Sequence, residues 1–187
     1  YNMTDSTYEE FTNTDGLSSN DVNAVAADSM GNVWLGMSNG YINSYNNETR
    51  QWKVIDDIVE QKEHVIHDFA LNGDSLFVGI DIGISLYHHL YNEDSSEVKE
   101  TYKNLGVGFN VEVPVKSVFL NGRDIWAGTD FGVSKSNLDI PNLQAPNSWT
   151  YYTTSNSNIL SNTVRAISAK DGIVYVATDK GVCKFEN

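Results

Sequence analysis

Residues Asp28–Gly40 read DSMGNVWLGMSNG, a five-residue run centred on Trp34 between two glycine turns. Met30-Gly31 and Asn39-Gly40 supply the positive-φ positions that tight reversals require, so the run between them reads as one strand of a meander. A lone hairpin says little about architecture, whereas a device that recurs at fixed spacing identifies one. It does recur: LNGDSLFVGIDIG ends at Gly83, LNGRDIWAGTDFG at Gly132 and KDGIVYVATDKG at Gly181. The central aromatics Trp34, Phe77, Trp126 and Tyr175 are 43, 49 and 49 residues apart. That is the span of a four-stranded propeller blade. Helical solenoids are excluded because no segment holds a 3.6-residue period between caps.

Each unit divides at its turns into four short strands. Strand A is VNAVAA from Val22, IHDFAL from Ile66, VKSVFL from Val115 and VRAISA from Val164. Strand B carries the aromatic, which at the same point in every unit is expected to pack between blades. Strand C runs YINSY, ISLYHH, VSKSN and VCKFE, and strand D lies around Trp52, Tyr102 and Trp149. The last unit ends on a C strand, while Thr7–Thr12 (TYEEFT) has the character of a D strand. The expected fold is therefore all-β, a single domain over residues 1–187: a β-propeller of four four-stranded blades, its ring closed by the N-terminal strand. Stacking is what makes the repeat necessary, since one small blade cannot bury both faces and neighbours cover one another.

Bulk composition narrows the function. With 25 acidic against 12 basic residues the net charge is −13, which repels a phosphate backbone and excludes nucleic-acid binding as a main role. No apolar run approaches the ~20 residues of a membrane span, so direct membrane insertion is not expected. The chain starts at Tyr1 without an initiator methionine or a signal-peptide core, which fits a mature chain or an excised domain. A single cysteine, Cys183, allows neither an internal disulfide nor a thiolate zinc cluster, and its apolar setting reads as a buried, inert thiol.

LSSNDVNAVAADSMGNVWLG (Leu17–Gly36) and LSNTVRAISAKDGIVYVATDKGVCKF (Leu160–Phe185) resemble the two-component-regulator propeller repeat, which runs roughly L-x-x-N-x-V-x-A-I, an acidic-glycine turn, V-W-x-G-T, a glycine turn and G-V-x-x-F. The middle units follow it more loosely, with His64 and Val113 in place of the asparagine. The resemblance implies a periplasmic or extracellular sensor part of a larger protein, in a family whose propellers usually have about seven blades and are thought to detect glycan fragments. It implies recognition without catalysis, with a carbohydrate or protein ligand at a channel mouth and no cofactor. Similar repeats in streptogramin-type lyases keep a lyase or hydrolase as a rival, and a terminal strand entering a neighbour's blade keeps self-association as another.

Comparing equivalent positions gives the candidate site. The second residue of strand A is Asn23, His67, Lys116 and Arg165 in turn, all polar and three able to carry positive charge. Facing a channel, they would form a site for an anion or a sugar; otherwise they solvate the wall. The third residue is Ala24, Asp68, Ser117 and Ala166; Asp68 is expected to pair with His67, Lys116 or Arg165, or to line the channel as a hydrated group. Ser38, Asp81, Asp130 and Asp179, each two residues before the glycine of the B–C turn, read as turn hydrogen-bonders rather than cation ligands. His64 and His67 point to opposite sides of an extended chain, so no metal site is assigned. No strained G-x-S-x-G elbow is present, and the pairs Glu9-Glu10 and Asp56-Asp57 read as solvated. Phe109, Phe131 and Tyr41, which lie singly near loops, are the candidate sugar-stacking rings.

Overall fold

Stacked blades need strands that are apolar on both faces, and the computed structural model delivers them as four antiparallel sheets. It describes residues 7–55, 64–89 and 96–185. Blade 1 comprises β1 (Val22–Ala27), β2 (Val33–Met37), β3 (Ile42–Asn46) and β4 (Gln51–Ile55). Blade 2 comprises β5 (Ile66–Asn72), β6 (Ser75–Ile80), β7 (Gly83–His89) and β8 (Ser96–Tyr102). Blade 3 comprises β9 (Val115–Asn121), β10 (Asp124–Thr129), β11 (Gly132–Asn137) and β12 (Thr150–Tyr152). Blade 4 has β13 (Val164–Lys170), β14 (Ile173–Thr178) and β15 (Gly181–Phe185). In every sheet each strand pairs with the one before it, the order the turns predict.

The core sits between blades rather than within them, as three clusters, one per junction. Each blade turns a trailing face, with the strand-B aromatic, toward the next blade's leading face. Trp34, Phe77 and Trp126 are buried on trailing faces. Against them lie four leading-face aliphatic or aromatic positions per blade: Ile66, Phe69, Leu76 and Val78 in blade 2, and their equivalents Val115, Val118, Ile125 and Ala127 in blade 3 and Val164, Ile167, Val174 and Val176 in blade 4, all buried. Glycine in strand B permits this approach. A Cβ at Gly79 would stand 2.7 Å from the Val115 carbonyl oxygen, and one at Gly128 would stand 2.6 Å from Val164 Cγ1.

The two ends of the array differ from its interior. On the leading face of blade 1, Val22 is 41% and Val25 70% exposed; on the trailing face of blade 4, Tyr175 is 39% and Val182 62% exposed. The described residues thus form an arc of four blades with an open face at each end. Among the described residues Tyr175 is not packed between blades as its three counterparts are. The ring closure expected of Thr7–Thr12 is not shown among the described residues, where Thr7 forms an isolated bridge and no strand. Tyr8–Thr12 holds no strand, the fourth sheet has three strands among the described residues, and Phe11 packs on blade 1 instead, 5.5 Å from the Tyr45 ring and 5.4 Å from that of Trp52. Glu9 follows it there, 3.4 Å from Arg50. Cys183 is half-buried on β15, where its sulfur accepts from the Leu160 amide at 3.1 Å.

Candidate functional site

Each inner strand carries the same irregularity near its start. Pairing with strand B slips between Val22 and Ala24, between Ile66 and Asp68, between Val164 and Ala166, and in blade 3 where Val115 faces Thr129 but Ser117 faces Gly128. The extra residue in each bulge is Asn23, His67, Lys116 or Arg165. A bulge redirects its side chain away from the regular alternation, and here it does so at one place on the inner edge of every blade. The polar series read from the repeat register is therefore a structural series as well.

Its two central members meet. His67 Nε2 lies 2.7 Å from Asp81 Oδ1, and Lys116 Nζ lies 3.3 Å from the same nitrogen, joining blades 2 and 3. Both cationic-type side chains are half-buried. The short contact is that of a ring N–H donating to a carboxylate. Lys116 then stands beside the pair as a charge neighbour of Asp81. The other Asp81 oxygen accepts from the Val65 amide at 3.0 Å, which fixes the carboxylate. At the flanks of the series Asn23 and Arg165 are exposed, and neither side chain makes a hydrogen bond or ion pair with another described residue.

Asp81 belongs to this cluster although its position in the B–C turn reads as a turn residue. The signal that finds it is register: Ile66 pairs with Ile80, so the residue after strand B stands beside the start of strand A. Ser38, Asp130 and Asp179 share the turn position but not the contact. The Ser38 and Asp179 amides donate to the carbonyls of Asp21 and Thr163, and Asp130 is exposed.

Asp68 has a different role from the one expected. It pairs with no cation among the described residues. One oxygen accepts from the Phe69 amide at 2.9 Å and the other from the Val118 amide of the next blade at 3.0 Å. Ser117 repeats the device one junction on, its hydroxyl accepting from the Ile167 amide at 3.1 Å. The third position of strand A is thus an inter-blade latch, and both members answer backbone N–H groups that burial would otherwise leave unpaired. Burial pushes the Asp68 carboxyl above the ordinary carboxylate range, opposed by the Phe69 and Val118 amides and the Ser117 hydroxyl.

Of the solitary rings, Phe109 is core, buried 5.3 Å from the Tyr151 ring. Tyr41 is half-buried. Phe131 is 43% exposed in the B–C turn of blade 3, at the same end as Lys116 because Thr129 pairs with both Val115 and Gly132. The pair Asp56-Asp57 lies outside the described residues. No three His, Cys, Asp or Glu side chains converge among the described residues.

This geometry offers a row of polar side chains on an inner blade edge, one mixed-charge cluster within it, an open guanidinium beside it and an exposed ring at the same end. It can bind an anionic or hydroxyl-rich group through charge-assisted and neutral hydrogen bonds.

Comparison with known proteins agrees with the fold. Residues 16–39 match the family model described as two component regulator propeller. No curated protein sequence is similar enough to count as a match. Among solved structures, the chain is similar to the extracellular domain of the hybrid two-component system BT4673 from B. thetaiotaomicron, with 24% identity and a TM-score of 0.70 over 91% of this chain and 21% of that one. The corresponding domain of BT3049 from the same organism gives 19% identity and a TM-score of 0.70 over 96% and 23%. The computationally designed Ika4 protein gives 13% identity and a TM-score of 0.64 over 96% and 98%. The chain spans about a fifth of the length of the two extracellular domains. No described helix is long and apolar enough to cross a membrane. Blade 1 carries a two-component-regulator propeller repeat, and the chain has the β-propeller fold that the repeat implies.

Proposed function

We infer that this chain is a recognition module without catalytic activity, part of a periplasmic or extracellular sensor, and that it binds an acidic glycan fragment on the inner edge of its blades. The observation that carries this reading is the bulge repeated at Asn23, His67, Lys116 and Arg165, which turns a polar side chain out at the same point of every blade. Lys116 and Arg165, on neighbouring blades, would take the carboxylate of a uronic acid. The His67–Asp81 pair would exchange hydrogen bonds with sugar hydroxyls, and Phe131 would offer its face to a pyranose ring. The two-component-regulator repeat in blade 1 and the similarity to extracellular domains of hybrid two-component systems support the sensing role and the location.

The test is calorimetric titration with oligosaccharides that contain uronic acids, alongside neutral ones of equal length. Lys116→Ala with Arg165→Ala should weaken the acidic ligand about tenfold or more and leave the melting temperature unchanged, since charge-assisted bonds are lost but no buried packing is. Equal affinity of the double variant and the parent would overturn the assignment, and binding of neither ligand class would overturn the glycan reading.

A further inference from the structure

On the trailing face of blade 3, Lys135 Nζ stands 5.1 Å from the centre of the Trp126 ring and 2.8 Å from Asp124 Oδ2, an ammonium held between an aromatic face and a carboxylate. The pairings place a lysine near the strand-B aromatic in two other blades as well. Lys184 pairs with Tyr175 as Lys135 does with Trp126, and Lys53 pairs with Ser44, which pairs with Trp34. Blade 2 departs from this rule. Leu86 has the register of Lys135 and Lys184, Glu100 has that of Lys53, and Phe77 stands where blades 1 and 3 have tryptophan. A carboxylate and a smaller ring thus replace an ammonium and a larger one.

A cleft of about 400 Å³ occupies this junction of blades 2 and 3. Phe77, Tyr102 and Leu143, all buried, form its floor, with Leu86 and Leu138 beside them. One wall comes from residues 138–149, which join β11 to β12 where residues 47–50 suffice between β3 and β4. That loop is braced by the Trp149 indole, which donates to the Leu143 carbonyl at 2.8 Å, and it reaches blade 2, where Gln144 Nε2 donates to Glu100 Oε2 at 3.0 Å. The Tyr102 hydroxyl donates to Glu100 Oε1 at 3.1 Å. Burial, with the carboxylate beside it, pushes the Tyr102 phenol up, so it stays a donor. These two neutral donors orient Glu100 without balancing its charge. No cation pairs with it among the described residues, and Arg123 at the rim is held by Asp139 at 2.8 Å.

We propose that this cleft binds an alkylammonium group, its charge on Glu100 and its stem over Phe77. The ligand would restore from outside the arrangement that Lys135 makes within blade 3. An apolar floor with one oriented carboxylate matches a charged head on an aliphatic stem, and the net charge of −13 draws a cation toward it. The site is separate from the inner-edge row. Asn72 and Arg123, which line the cleft, lie at the end of β5 and just after β9, whereas His67 and Lys116 lie where those strands begin. A free amine and the lysine side chain of a peptide both carry the required group.

The 187-residue chain is titrated with pentylammonium, with Nα-acetyl-lysine methylamide and with pentanol, following the NMR signals of the Phe77 and Tyr102 rings. Saturable shifts are expected with pentylammonium and not with pentanol. Shifts with the capped lysine as well would extend the site to peptides, and their absence would restrict it to free amines; either supports the proposal. Glu100→Gln keeps an acceptor oxygen and changes the net charge by one unit only, so general attraction persists, yet it should weaken pentylammonium about tenfold. Lys116→Ala with Arg165→Ala should leave amine affinity unchanged, so this proposal and the glycan reading fail separately. Pentanol that binds as tightly as pentylammonium, a Glu100→Gln variant of parental affinity, or ring signals that never shift would each overturn it.

Discussion

The junctions inside the arc and the faces at its ends are built from the same repeat, yet the same sequence position has opposite surroundings in the two places. Phe69 at the junction of blades 1 and 2 is buried and Val25, its equivalent on blade 1, is exposed; Trp126 is buried and Tyr175, its equivalent on blade 4, is exposed. The difference is not in the strand that bears the residue but in whether a neighbouring blade lies against it. Stability in this fold therefore belongs to junctions, as in other repeat proteins where each unit contacts its neighbours alone.

Truncation inside a junction should break the comparison most strongly. Phe69→Ala is expected to cost about 3–5 kcal/mol in urea denaturation, through lost burial and a cavity that the rigid sheets cannot close. Val25→Ala, at an exposed position, should cost no more than about 0.5 kcal/mol. The latch gives a smaller contrast. Ser117→Ala leaves the Ile167 amide without its acceptor and should cost roughly 1–2 kcal/mol by the same denaturation, whereas Ala166→Ser at the open end should be nearly neutral.

The smallest effect concerns pH. The native fold holds the Asp68 proton to higher pH than the unfolded chain does, because burial raises its pKa. The stability this group contributes is full below the ordinary carboxylate value and is lost as pH rises through the elevated one. Asp68→Asn removes that dependence. Melting temperatures between about pH 3 and 7 should show the variant gaining on the parent as pH rises; a constant offset would contradict the assignment.

Much of the fold was legible because turn chemistry and the central aromatic repeat so regularly that the inner strands begin at Val22, Ile66, Val115 and Val164, as read. The repeat also located the row that contains Asn23, His67, Lys116 and Arg165. What it could not convey is which copies have a neighbour, because self-similarity describes a blade and not its position in the array. By the repeat alone Tyr175 reads as packed for that reason, and Thr7–Thr12 as a closing strand. Within the site, Asp68 and Asp81 exchanged roles. The partner of Asp68 is an amide 50 residues away on another blade, a relation that no local spacing encodes. Asp81 was recoverable from hairpin register, given that a bulge turns His67 toward it.

The most direct test of the central claim, that coverage by a neighbour and not the repeat position sets a residue's role, is the denaturation of Trp126→Ala and Tyr175→Ala side by side in dilute solution. The account predicts a loss of about 3–5 kcal/mol for Trp126→Ala and less than about 1 kcal/mol for Tyr175→Ala. Equal losses from the two would contradict it, since they would mean that blade 4 is covered in the single chain.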